Sequence, residues 1–263
     1  MIRRRIAYAA AMLLVLGACG AGHGSPTPST SSRTSASSPS PARHQALLVT
    51  TKCAGLIFLG ARGSSQSATL NRGVGAEVRL SVEATIRRLH QRGDTTARIE
   101  AVRYDASGGA AYQAQVGAGA QLMQRMLTAD ARRCPHSRFA LVGFSEGAQV
   151  VHAAAIDVPR ALEKRIALIA MIADPRRNPG DAIAHWSYGE SAPRPGRLGA
   201  GTPIDPDMRS TAITLCAAGD EICNGRGNPG ASPSATHRHF YERPSSTRST
   251  AQRLDQILDA NGV

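Results

Sequence analysis

Hydrophobic positions along this chain fall into two rhythms that alternate from end to end. Residues 47–51 and 56–59 are short apolar runs, the second feeding the loop Gly60-Ala61-Arg62-Gly63-Ser64-Ser65, as a strand would. Residues 74–89 carry Val78, Val82, Ile86 and Leu89 at helical spacing. Residues 99–104 alternate like a strand, and 112–127 return to helical spacing through Val116, Leu122, Met123 and Met126. Residues 139–144 then predict a strand, 148–156 a helix, and 166–173 a strand buried on both faces. Residues 212–215 add one more strand and 250–258 a last helix, with no internal repeat. Strands alternating with helices predict an α/β fold, a three-layer α/β/α sandwich with a mainly parallel central sheet. The Gly/Pro-rich stretches 178–206 and 224–233 read as irregular loops, where binding surfaces tend to sit.

The first 45 residues follow neither rhythm. Arg3-Arg4-Arg5, an apolar stretch over residues 6–16 and then Leu16-Gly17-Ala18-Cys19 predict an export signal over residues 1–18. Leu-Gly-Ala-Cys has the form of a bacterial lipobox, which would place lipid on Cys19; a plain signal peptide with an incidental cysteine is the competing reading. The tandem arginines are also compatible with twin-arginine export. Residues 19–45 are mostly Ser, Pro, Thr, Ala and Gly, too poor in large apolar side chains to repay ordering, and read as a tether. Residues 46–263 remain for one catalytic domain, and 42% hydrophobic residues suffice for its core. No later apolar run is long enough to span a bilayer. The expected location is therefore outside the cytoplasm, at the membrane through lipid or free.

Charge and cysteine content narrow the classes. The formal net charge is +12, carried almost wholly by arginine, and the leader contributes three of those charges. Aromatic residues are only 4%, the arginines are scattered and no recognition motif appears, so nucleic acid is not expected as a partner. Attraction to anionic lipid or acidic wall polymers suits the charge better. Beyond Cys19 the chain keeps Cys53, Cys134, Cys216 and Cys223, an even set suited to an oxidising compartment. Close spacing favours Cys216 with Cys223, leaving Cys53 with Cys134; the spacing is not that of a zinc site.

The candidate chemistry centres on Gly143-Phe144-Ser145-Glu146-Gly147, which lies between a predicted strand and a predicted helix. In that context G-x-S-x-G presents its serine on a sharp turn, making Ser145 the candidate nucleophile. A serine hydroxyl needs a base to take its proton and an acid to orient that base. Asp220, in the short segment from Cys216 to Cys223, and His237 follow in the order Ser, Asp, His. No metal or cofactor is implied.

Together with Cys53, the segments Ala61-Arg62-Gly63-Ser64, Val102-Arg103-Tyr104, Tyr112-Gln113, Cys134-Pro135, Gly143 to Ala148, Asp174-Pro175, Cys216 to Cys223 and His237 resemble the cutinase family of serine esterases. The resemblance runs from about Cys53 to the last helix and implies a cutinase-like α/β-hydrolase, found in exported actinobacterial lipoproteins among others. It implies the same two disulfides, Cys53 with Cys134 and Cys216 with Cys223. It also implies an oxyanion hole formed by Ser64 and the backbone N–H of Glu146. The substrate would be an ester of a lipid, a polyester or an acylated polysaccharide, cleaved by a monomer. An acetylxylan or lipid esterase of the same family would share every residue named, and a non-catalytic envelope-binding lipoprotein is the alternative outside enzymes.

Two positions depart from the family pattern. Glu146 stands where Gln is common, and its side chain is expected to face outward or pair with an arginine, because a carboxylate beside a forming oxyanion is unfavourable. The usual His-x-x-Tyr is here His237-Arg238-His239-Phe240-Tyr241, in which His237 with Phe240 fits the spacing and His239 does not. His90, His136, His152 and His185 read as surface or packing residues.

Overall fold

The structure, a computed structural model, describes residues 52–93, 96–189, 192–225 and 232–263. The expected leader, Cys19 with the whole tether, and the apolar run over 47–51 lie outside the described residues, which leave out residues 1–51. Six strands form one sheet: β1 (Leu56–Ala61), β2 (Ala97–Ala101), β3 (Arg138–Phe144), β4 (Ile166–Ile172), β5 (Ala184–Tyr188) and β6 (Ala212–Ala217). Their order is β2-β1-β3-β4-β6-β5, and every pairing is parallel. The longer helices are α1 (Ala76–Arg92), α2 (Tyr112–Arg133), α3 (Glu146–Ala155) and, after three short ones, α7 (Pro244–Ala260). The short ones are α4 (Arg160–Glu163), α5 (Glu221–Asn224) and α6 (Ala235–His239).

Strand alternation explains the layers. Ile57, Leu59, Leu141, Ile169 and Met171 point to one face, where Val116, Met123 and Leu127 of α2 and Val150, Val151 and Ala154 of α3 cover them. Leu56, Phe58, Val142, Leu168, Ala170 and Ile172 point to the other, against Val78, Val82 and Leu89 of α1 and Leu254 and Leu258 of α7. All seven residues of β4 are buried, as a central parallel strand covered on both faces requires.

The sequence pattern differs from the structure mainly at β5. It lies inside 178–206, which reads as an irregular loop, yet pairs with β6 from Ala184↔Ile213 to Tyr188↔Ala217. As an edge strand it is half-buried at every position, so Ala-His-Trp-Ser-Tyr lacks the apolar run that marks the central strands. Helix α7 also begins at Pro244, a turn and more before its apolar stripe; proline at the first helical position suits a helix start.

Two disulfides fasten the sheet. Cys53–Cys134 joins the chain just before β1 to the end of α2, and Cys216–Cys223 joins β6 to α5. Registers Ala61↔Gly143, Phe144↔Ile172 and Ile172↔Leu215 align the carboxyl ends of β1, β3, β4 and β6. The loops leaving those ends therefore meet along one edge of the sheet, where parallel α/β sheets present ligand sites.

Candidate active site

Ser145 sits between β3 and α3 with φ 55° and ψ −118°, in a backbone region that costs about 1–3 kcal/mol for a residue with a side chain. Its surroundings over-determine that turn. The Ser145 N–H donates to the Ile172 carbonyl at 2.9 Å, and its own carbonyl accepts from Ala148 and Gln149 at 2.9 and 3.2 Å. The flanking glycines are required by close approach: a Cβ on Gly143 would stand 2.0 Å from the Gly147 carbonyl oxygen, and one on Gly147 2.1 Å from that of Ala61.

His237 Nε2 lies 3.0 Å from Ser145 Oγ. Its Nδ1 faces Asp220, at 3.1 Å from Oδ1 and 3.0 Å from Oδ2. Both carboxylate oxygens can only accept, so Nδ1 carries the proton and Nε2 turns its lone pair to the serine hydroxyl. The imidazole is buried and stacks on Phe144, ring centroids 4.9 Å apart, so its plane is fixed as well as its tautomer. Asp220 caps α5 and accepts from the Ile222 N–H at 2.9 Å. The Cys216–Cys223 link brackets that cap.

Ser64 stands three residues beyond β1 in a tightly clamped loop. Arg62 is buried, donates through Nε to the Gln66 carbonyl at 3.0 Å and through its Nη2 to the Tyr104 carbonyl, and lies over the Tyr104 ring. Tyr104 returns a hydrogen bond to the Arg62 carbonyl at 2.6 Å. Ser64, Ser145 and His237 line one cleft of about 700 Å³ with Phe144, Pro175, Leu198 and Ile222, and with the polar Gln113, Arg197 and Arg238. The first N–H groups of α3, at Glu146 and Gly147, have no carbonyl four residues back inside the helix and point toward this end of it. Among the described residues no group of three or more His, Cys, Asp or Glu side chains could hold a metal ion, and no helix is long and apolar enough to cross a membrane.

The sequence model of the family described as Cutinase matches residues 52–252. This chain belongs to the cutinase family. Among its relatives, the Cutinase of Botryotinia fuckeliana is 28% identical over 173 residues, 66% of this chain and 71% of that protein. The Carboxylesterase Culp1 of Mycobacterium tuberculosis is 29% identical over 176 residues, 67% of this chain and 71% of that protein. The catalytic core domain of acetyl xylan esterase from Trichoderma reesei superposes with a TM-score of 0.60 at 19% identity, covering 80% of this chain and 100% of that one. A cutinase-like protein from Cryptococcus superposes with a TM-score of 0.58 at 15% identity, covering 78% and 94%. At such identities these two superpositions speak for the α/β-hydrolase fold alone.

Within this cutinase-family chain, the side chain of Glu146 corrects the expectation that it faces outward or pairs with arginine. It is fully buried, at 0% exposure, and its Oε2 is hydrogen-bonded to Ser64 Oγ at 2.5 Å. Among the described residues no Lys or Arg lies within ion-pair distance of it. Helical side chains lean toward the N-terminus, so the first residue of α3 is aimed back at the loop after β1 rather than at solvent.

Tyr241 is the residue that sequence reasoning missed. Its hydroxyl donates to Asp220 Oδ2 at 2.7 Å and accepts from the Ala217 N–H at 2.8 Å, which ties the acid to β6. Burial, with the Asp220 charge beside it, holds its phenol well above the usual value, so it stays a donor. The family spacing pointed to Phe240; a tyrosine one residue later, in the turn after α6, was the signal available. His239, at the end of the same short helix, is exposed, and His152, read as a surface or packing residue, is buried against Asp174.

Proposed function

We propose that this member of the cutinase family, a carboxylic ester hydrolase, works through an acyl-serine intermediate formed on Ser145. The observation that carries the reading is the unbroken hydrogen-bonded line from Ser145 Oγ through the His237 ring to Asp220. Ser145 Oγ attacks the ester carbonyl while its proton passes to His237 Nε2. The negative oxygen so formed is met by the Glu146 N–H and Ser64, and one such donor is worth about 2.7–4 kcal/mol. Collapse expels the alcohol, which leaves with the proton from His237. Water then adds to the acyl group, giving its proton to His237, and the acid departs as that proton returns to Ser145. Asp220 keeps the imidazole in the useful tautomer and offsets the imidazolium charge.

The cleft joins apolar walls from Leu198, Ile222 and Pro175 to the side chains of Gln113, Arg197 and Arg238. Such a lining suits an ester with an apolar acyl part and a polar alcohol part, as in a lipid or an acylated polysaccharide. Residues 46–263 would form the catalytic domain, exported as a monomer and held near the membrane by lipid on Cys19 through the tether of residues 19–45.

A fluorophosphonate probe tests the chemistry: stoichiometric labelling of the oxidised protein is expected, lost in Ser145→Ala. Absence of labelling in folded protein would favour a binding lipoprotein. A chromogenic ester series from short to long acyl chains reads the substrate range. Labelling of cells with a tagged fatty acid is expected to mark the wild type and not Cys19→Ala.

A further inference from the structure

We infer that Glu146 is a positioning residue that must carry a proton for Ser64 to donate to the oxyanion. The inference rests on the acyl-serine reading above and concerns the one place where this chain replaces the family's glutamine with a carboxyl group.

A serine hydroxyl has a single proton to give. At 2.5 Å, Ser64 Oγ and Glu146 Oε2 share one hydrogen between them. An ionised Glu146 can only accept, so it takes the Ser64 proton and leaves nothing to meet the developing oxyanion. A neutral Glu146 donates its own Oε2–H to Ser64 Oγ, and the serine proton is then free to turn into the cleft. A glutamine amide would do the same at every pH.

The surroundings favour the neutral form. Glu146 is 0% exposed, and its other oxygen, Oε1, is buried with no hydrogen-bond partner. A carboxylate with one oxygen left bare in the interior is unfavourable, whereas the carbonyl of a neutral acid tolerates it better. From the loop after β1 the group faces Ser64 and Arg62; from the segment after β2, Tyr104 and Asp105; from the start of α2, Tyr112. Burial raises its pKa above 4.5, Asp105 adds to that, and the Ser64 hydrogen bond and Arg62 charge oppose it without reversing it. Arg62 donates through Nε and Nη2 to the carbonyls of Gln66 and Tyr104; its Nη1 is buried without a hydrogen-bond partner, and none of its nitrogens makes an ion pair with Glu146. Burial holds both tyrosines neutral, so neither brings a charge to the group.

The test is the pH dependence of kcat/KM on a chromogenic ester for the wild type, Glu146→Gln, Ser64→Ala and the double variant. The ratio of Glu146→Gln to wild type is expected to be near one at the acid end. It should climb with pH toward the roughly 10²–10³-fold effect of a single oxyanion donor. The cost of Ser64→Ala should shrink with rising pH in the wild type and stay constant in the Glu146→Gln background. A ratio independent of pH, with hydrolysis still dependent on Ser145, overturns this inference and leaves the acyl-serine reading standing. No Ser145-dependent hydrolysis in either protein at any pH overturns the acyl-serine reading instead, and this inference with it. Infrared titration of the wild type needs no variant at 146. A protonated carboxyl band that moves in Ser64→Ala should fade over the pH range in which the ratio climbs, and its absence at the pH of full activity overturns the inference.

Discussion

Two buried histidine–aspartate pairs lie among the described residues, and they differ in what stands at the second ring nitrogen. His237 has Asp220 at Nδ1 and the Ser145 hydroxyl at Nε2, 3.0 Å away. His152 has Asp174 at Nδ1, 2.8 Å away, and the Thr202 carbonyl at Nε2, also 2.8 Å away. A hydroxyl can donate, so His237 keeps a lone pair and can act as a base. A carbonyl can only accept, so His152 needs protons on both nitrogens to satisfy both partners. Burial by itself would lower the His152 pKa; the Asp174 hydrogen bond and charge, with the Thr202 carbonyl, outweigh it and leave the pKa raised. The first pair ends on a hydroxyl with which it can exchange a proton, as the proposed mechanism requires, and the second ties α3 to the segment that follows β4. An aspartate beside a histidine therefore says little about catalysis until the far nitrogen's partner is known.

The sharpest way to break this contrast is to exchange the two rings for glutamine in turn. His237→Gln should lower kcat/KM by about 10⁴-fold or more, as loss of a triad member does, with the unfolding midpoint little changed. His152→Gln should leave ester hydrolysis far less affected; a comparable collapse in a protein of wild-type stability would reverse the assignment. The next effect is on stability. His152→Gln takes the positive ring from the buried Asp174 carboxylate and leaves it only the Arg176 N–H, and breaking such a pair costs about 3–5 kcal/mol, measurable by urea unfolding. Tyr241→Phe sharpens the catalytic side: Asp220 loses a donor and the Ala217 N–H its acceptor, at about 1–3 kcal/mol of stability, together with a fall in kcat.

The smallest effect is a pH dependence. His152 binds its proton more tightly in the folded state, where its pKa lies above the ordinary 6.5, than in the unfolded chain. Its contribution to stability is therefore fully present below about pH 6.5 and is lost as pH rises through the folded value. Unfolding free energies of the wild type should fall over that window relative to those of His152→Gln. Parallel curves would show that the ring is not held as imidazolium.

The parts legible in the sequence were those set by neighbours along the chain. The run of residues 139–144 followed by Gly143-Phe144-Ser145-Glu146-Gly147 announces a strand, a turn and a helix, because apolar periodicity and glycine tolerance are local properties. The central strands were legible for the same reason, since burial on both faces demands uninterrupted apolar residues. Strand β5 was not, because an edge position makes no such demand. The inward turn of Glu146 depends on where the loop after β1 ends, 82 residues away in the chain, and nothing near position 146 encodes it. Tyr241 rather than Phe240 reaches Asp220 because of how the turn after α6 is presented to β6, which spacing in one segment does not reveal.

The chain by itself determined the alternation of strands and helices, the strained turn at Ser145, the order of Ser145, Asp220 and His237, and the cysteines available for pairing. Tertiary structure alone decided which histidine meets a hydroxyl and which a carbonyl, and that a carboxyl group lies against Ser64. Backbone rhythm is written residue by residue, but a proton's position depends on donors and acceptors that meet only when distant segments converge at one edge of the sheet.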